Sequence, residues 1–324
     1  MNKLDKKNLF IDIREKNVLI VVGEYDEELN FKIIHKEITS PSGLQNGKII
    51  DIEKVASCLK KTIKVIETKL NFVFKFANIS VNQNDCECIN VSGFKKLNGN
   101  QILSDDISFI LNNIRSKLIE VEKDKKIIHL FNTKFVLDGK LIKNLPIGLS
   151  GDFYSHQLTF FLIKKNELKN ISNLLNKCNL NLNKIVLKSF IEGINFLNKE
   201  NKNTFFLIKF YKNKTYLIHF KDSAYCFYQS FNFGSNIILK DISKVCSIEL
   251  QMVQEIFLNE KFELSNEDFI DEKNFKNINF KKDSLKKISE IVSARIAEIA
   301  DIILNKKRHL KNSQTKDIPF YFIS

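Results

Sequence analysis

Glycine is scarce in this chain, with 10 in 324 residues, about half the usual share of roughly 7%. Loops that wrap phosphate are built from glycine, whose backbone turns inward at φ angles that other residues avoid. The six cysteines, at positions 58, 86, 88, 178, 226 and 246, show no metal-ligand spacing. Cys86-Glu87-Cys88 has no second pair to complete a zinc site, so reduced thiols are the plain reading. Met1–Asn8 is charged and has no apolar core of the kind a secretory signal needs. No run approaches the ~20 apolar residues of a membrane span. The five histidines (35, 129, 156, 219 and 309) have no serine or cysteine partner at a readable spacing.

What is present makes a folded protein. Hydrophobic residues are 44% of the chain and 28 of them are Phe, so a large core is easily built. The length suits two domains or one bilobed one. The net charge of +13 invites a nucleic-acid reading. Lys and Asn are nevertheless scattered among Ile and Phe throughout, as in an AT-biased genome. The densest cluster, Lys306-Lys307-Arg308-His309, closes a helical pattern, where cations complement the helix dipole. A nucleic-acid partner is not expected.

The chain is organised around Thr204–Phe231. Phe205–Phe210, Thr215–Phe220 and Ala224–Phe231 are apolar strand candidates joined by short polar turns, which reads as an antiparallel meander. A second meander lies at Leu9–Ile13, Val18–Glu24 and Phe31–Ile38, and helical pattern follows each. Ile52–Lys69 has apolar residues at 52, 55, 56, 59, 63 and 66, which is helical spacing. Asn82–Gly99 reads as irregular. Ser104 reads as an N-cap, with Asp105 and Asp106 in the first turn of a helix to about Leu118. Lys126–Leu130 and Lys134–Asp138 read as two strands, Phe153–Ile163 as a third, Asn166–Cys178 as a helix, and Phe190–Leu197 as a short helix. Ser235–Cys246 and Ile248–Phe257 are helical, Phe262–Phe280 is weakly patterned, Asp283–Lys307 is an amphipathic helix, and Ile318–Ile323 is a strand.

Several segments carry a resemblance. They are Ile127-Ile128-His129-Leu130-Phe131, Phe135-Val136-Leu137-Asp138-Gly139 and Asn144-Leu145-Pro146-Ile147-Gly148-Leu149-Ser150-Gly151. Pro41-Ser42-Gly43-Leu44, Gly47–Glu53, Leu103–Ile107 and Ser293–Ile299 add to them. In order and spacing they resemble the FtsA family of cell-division proteins. The resemblance implies an α/β, actin-like, two-lobed fold of ribonuclease H-like duplicated type, with an α+β insertion. The first lobe is expected at 1–81 and 161–200, the insert at 82–160, and the second lobe at 201–324 with an outer subdomain at about 236–280. The resemblance also implies an adaptor that binds FtsZ and anchors the Z ring at the inner face of the cytoplasmic membrane. Self-association into actin-like filaments and contact with later division proteins belong to the same expectation.

The family binds ATP and magnesium, and here its phosphate loops look degenerate. Where the family has aspartate-isoleucine-glycine-serine-serine, this chain reads Asp12-Ile13-Arg14-Glu15-Lys16. The second loop falls on Lys209–Tyr216 without a glycine. Asp12 and Thr215 are the positions that match as cofactor-binding residues, both vestigial; Asp12 also reads as a carboxylate ending a strand and satisfied by turn amides. No enzymatic activity and no catalytic or metal-binding residue is expected. The chain stops at Ser324 where the family continues into an adenosine loop and a membrane helix, so a truncated or fragmentary sequence, or a naturally shortened one, is expected. Two other readings stay open. One is an actin-fold ATPase or kinase with unorthodox loops, the other a basic nucleic-acid or anionic-lipid binder.

Overall fold

The computed structural model describes residues 7–26, 28, 30–45, 47–82, 86–259, 285–309 and 318–323. They fall into two compact units, one within Met1–Asn203 together with Phe220–Cys226, the other within Thr204–His219 together with Phe227–Ser324. The weakly patterned stretch Phe262–Phe280 lies outside the described residues.

In the first unit, β1 (Lys7–Ile13), β2 (Val18–Tyr25) and β3 (Phe31–Thr39) pair antiparallel in sequence order. Apolar residues alternate along β1 and β2, which buries Leu9, Ile11, Val18, Ile20 and Val22 on one face. A short hairpin, β4 (Leu44–Gln45) and β5 (Lys48–Ile49), leads into α1 (Ile52–Leu70). Asp51 caps this helix by accepting from the Lys54 amide at 3.1 Å, and Asn71 closes it in the left-handed region. Val55, Leu59, Ile63 and Ile66 form its buried stripe. The crossover through α1 returns β6 (Phe76–Val81) parallel to β1.

The next segment is an α+β piece: β7 (Cys86–Lys96), α2 (Ser104–Val121), β8 (Lys125–Leu137), β9 (Lys140–Ile142) and β10 (Phe153–Lys164). Its sheet runs β7-β10-β8-β9, antiparallel throughout. Ile110, Ile114 and Leu118 of α2 pack on Leu158, Phe160 and Leu162 of β10. Three local expectations are corrected here. Residues 82–99 contain an 11-residue strand, whose alternation is hidden because Gly93 stands where an apolar side chain would be expected. A Cβ on Gly93 would come within 2.5 Å of Ile110, so the helix packs directly on backbone. The two strands read at 126–138 are one strand, with a register shift opposite Gln157/Leu158. Ser104 is the first helical residue and Leu103 the N-cap; the cap interaction comes from Asp106, whose carboxylate accepts from the Leu103 amide at 2.8 Å.

α3 (Lys165–Lys177) and β11 (Asn181–Leu187) follow, β11 joining β6 in parallel, so the sheet order is β11-β6-β1-β2-β3. α4 (Lys188–Glu200) is longer than the sequence indicates. The glycine in its middle, Gly193, lies against the buried ring of Phe220. Phe220 stacks on Tyr225 with centroids 4.9 Å apart, and the Tyr225 hydroxyl meets Ser189 at 2.7 Å.

The second unit repeats the strand plan of the first. β12 (Phe205–Phe210), β13 (Thr215–Lys221) and β14 (Ala224–Phe231) are neighbours in sequence order. Asp222 and Ser223 both have positive φ, as a two-residue hairpin turn requires. Three helices follow, α5 (Ser235–Cys246), α6 (Leu250–Asn259) and α7 (Leu285–His309), and β15 (Phe320–Ile323) then joins β12 in parallel. Thus β3-β2-β1-β6 and β14-β13-β12-β15 share one arrangement, a meander whose first strand receives a parallel partner. Ile288 of α7 packs with Ile238 and Ile242 of α5, and Arg295 pairs with Asp241.

Candidate functional site

Three adjacent parallel strands, β1, β6 and β11, end at the same edge of their sheet, the edge where open α/β sheets hold ligands. Asp12 lies near the end of β1, directly opposite Ser80 of β6. Lys188 opens α4 immediately after β11. The Ser80 hydroxyl donates to Asp12 Oδ1 at 2.6 Å and Lys188 Nζ to the same oxygen at 3.0 Å. Arg14 Nε donates to Oδ2 at 2.8 Å. Burial is the largest single influence on this carboxyl and opposes its ionisation. Hydrogen bonds from Arg14 and Ser80 and the Lys188 charge outweigh it, so the group sits below the usual aspartate value.

Both carboxylate oxygens of Asp12 are therefore held by the chain's own donors, two of them cationic. A divalent cation would have to displace Lys188 and Arg14. The partners are side chains from three elements. The turn after β1 closes on itself, the Arg14 amide donating to the Asn17 carbonyl, and the Glu15 carbonyl accepts from the Gly47 amide at 3.0 Å. Among the described residues, no cluster of three or more His, Cys, Asp or Glu is placed to hold a metal ion. Sequence reading found Asp12 but not Lys188 or Ser80. Their signal was positional: Ser80 stands near the end of β6, which joins β1 in parallel, and Lys188 directly follows β11, which joins β6 in parallel.

Thr215 lies in the second unit, fully buried, with its hydroxyl donating to the Phe233 carbonyl at 2.8 Å. The turn before it closes by the Tyr211 amide donating to the Lys214 carbonyl. The same turn covers the start of α5. The Ser235 amide donates to the Tyr211 carbonyl at 3.0 Å and the Asn236 amide to the Lys212 carbonyl at 2.9 Å. Helix N-terminal amides of this kind are where a phosphate would bind, and here peptide carbonyls occupy them. Gly234 permits the approach, because a Cβ there would stand 2.0 Å from the Tyr211 carbonyl oxygen. Lys209 is nearly buried and lies over the Tyr211 ring at 5.2 Å.

His129 accepts from the Leu187 amide at 3.2 Å, and burial lowers its pKa. That is a packed, neutral imidazole.

Comparison with known proteins bears on the whole arrangement. Residues 84–155 match the family model described as the SHS2 domain inserted in FtsA. Cell division protein FtsA of Buchnera aphidicola subsp. Schizaphis graminum is 24% identical over 235 residues, covering 72% of this chain and 56% of that protein. FtsA of Neisseria meningitidis serogroup B is 20% identical over a region of the same length. The chain thus spans little more than half the length of these relatives. Among solved structures, the PilM-PilN type IV pilus biogenesis complex aligns over 97% of this chain and 81% of that one, with a TM-score of 0.58 at 8% identity. That likeness concerns the fold alone. The chain is similar to FtsA proteins, has an actin-like α/β fold, and at residues 84–155 matches the SHS2 insert of FtsA.

Proposed function

We propose that this chain is a cell-division adaptor that binds FtsZ, helps to assemble the Z ring on the inner face of the cytoplasmic membrane, and works by protein contacts without turning over ATP. The adaptor half is supported by the FtsA-type insert and by the FtsA relatives. In this reading residues 1–81 and 161–200 are the first lobe, 82–160 the insert, and 201–324 the second lobe, with the FtsZ-facing surface at about 236–280. In this reading attachment to the membrane is peripheral; among the described residues no helix is long and apolar enough to cross a membrane.

The nucleotide half is carried by one observation: Asp12, the acid that would face magnesium, is already held by Arg14, Lys188 and Ser80. The carbonyls on the first amides of α5 point the same way. Asp12 and Thr215 are then vestiges of an ancestral nucleotide site. Calorimetry with Mg-ATP tests this half, and tight, magnesium-dependent binding would make the protein an ATPase with unorthodox loops instead. Co-sedimentation with FtsZ polymers of the same organism tests the adaptor half.

A further inference from the structure

Charge is unevenly spread over the helices of the first unit. α1 carries five lysines against two glutamates, and α3 three lysines against one. α2 carries two basic residues against three acidic ones, and α4 two of each, so the lysine bias of the whole chain does not account for α1 and α3. The two helices lie side by side. The Cys178 thiol, just past α3, donates to the Ala56 carbonyl of α1 at 3.6 Å, and Lys177 pairs with Glu53 at 2.6 Å. Val55, Leu59, Ile63 and Ile66 turn α1 into the core, and Ile171, Leu174 and Leu175 do the same for α3. Helical spacing then puts Lys54, Lys61 and Lys64 on the far side of α1, and Lys165 and Lys169 on the far side of α3. With Lys177, all six are exposed. Lys54 and Lys177 have carboxylate partners in Asp51 and Glu53, whereas Lys61, Lys64, Lys165 and Lys169 have none among the described residues. Glu67 turns its carboxylate to the Phe74 amide at 2.9 Å, and Glu167 sits in the first turn of α3.

The makeup of this face points to its partner. Neither helix contains an arginine or an aromatic residue, in a chain that has 28 Phe. Nucleic-acid surfaces rely on guanidinium forks to read base edges and on aromatic rings to stack on bases. Lysine is a flexible point charge, which suits a fluid array of anionic headgroups that has no fixed geometry to match. About four to eight lysines on one helical surface is the number that holds a protein to such an array. Val65 is 50% exposed on the same side of α1, beside Lys64 and one turn from Lys61. An apolar side chain at that point enters the headgroup layer while the lysine stems extend around it.

We infer that the outer face of α1 and α3 is a docking surface for an anionic lipid bilayer, through which the body of the fold itself lies against the membrane. The inference rests on the reading of the chain as a peripheral membrane adaptor and names a lipid-facing surface for it. It is tested by co-sedimentation of the full chain with vesicles of phosphatidylglycerol and phosphatidylcholine, and with vesicles of phosphatidylcholine alone. Binding is expected only to the anionic vesicles and falls with added salt. Each lysine near an anionic surface is worth about fivefold in the binding constant. The variant Lys61→Gln/Lys64→Gln/Lys165→Gln/Lys169→Gln is therefore expected to lose about a hundredfold or more. The control Lys123→Gln/Lys126→Gln/Lys140→Gln/Lys143→Gln removes the same charge from exposed positions of the insert and is expected to stay within roughly threefold of wild type. All eight positions are exposed, so both variants keep the wild-type Tm. A wild type that ignores anionic vesicles, an equal loss in the two variants, or a face variant that binds vesicles as wild type does overturns the inference. So does a face variant that loses affinity for a DNA duplex and keeps its affinity for vesicles. FtsZ pelleting without lipid is read alongside. A face variant that keeps both vesicles and FtsZ overturns this inference alone, whereas a wild type that binds vesicles through this face and ignores FtsZ overturns the adaptor reading alone.

Discussion

Replacing Asp12 with Asn removes the negative charge that Arg14 and Lys188 share while keeping the side-chain shape. One amide oxygen can still accept from Ser80 or from Lys188, but not from all three donors. Lys188 and Arg14 are 30% and 39% exposed, so water recovers much of what they lose. The cost is therefore below that of a fully buried pair, about 1–2 kcal/mol. In a thermal melt near neutral pH this lowers Tm by roughly 2–4 °C per kcal/mol. The pH dependence has a definite sign. The folded carboxyl titrates below its unfolded value, so its contribution is complete above the unfolded value and is lost as pH falls through the folded one. Wild type and Asp12→Asn thus converge in acid. The same melts repeated with Mg-ATP decide the reading. A ligand at a hundredfold excess over its Kd adds about 2.7 kcal/mol, larger than the substitution itself. If Mg-ATP stabilises the wild type by that amount and Asp12→Asn abolishes the gain, Asp12 serves a metal nucleotide and the reasoning fails.

Other predictions follow from individual contacts. His156 is fully buried and its pKa is lowered to about 4. An unfolded histidine gains a proton near pH 6.5, so stability falls from there down to the folded value, by about 3 kcal/mol in total. His156→Gln, which keeps a partner for Asn132, flattens that part of the stability-against-pH curve. Gly193→Ala drives a Cβ to 2.1 Å from the buried Phe220 ring, and urea unfolding is expected to show a loss of about 1–2 kcal/mol despite the better helix former. Gly234→Ala collides with the Tyr211 carbonyl and lifts the turn from α5, which faster hydrogen exchange at Ser235 and Asn236 reports.

The fold was legible wherever burial follows a simple period. β12–β14 are nearly continuous apolar runs, and α1 carries a clean helical stripe, so sequence and structure agree there to within a residue or two. Legibility failed where packing replaces a side chain by backbone. Gly93 admits Ile110 and Ile114, and Gly193 admits Phe220, so β7 and the full length of α4 lose the pattern that would announce them. The extra residue in β8 similarly made one strand look like two. Asp12 was visible as a strand-end acid beside a glycine-poor turn. Its partners Ser80 and Lys188 are 68 and 176 residues away, and only the parallel arrangement of three strands brings them to it.

The most direct test of the central claim is pelleting of the purified chain with FtsZ polymers from the same organism, with and without Mg-ATP. The account predicts co-sedimentation to the same extent in both conditions. A chain that pellets only when Mg-ATP is present, or that stays in the supernatant in both, would contradict it.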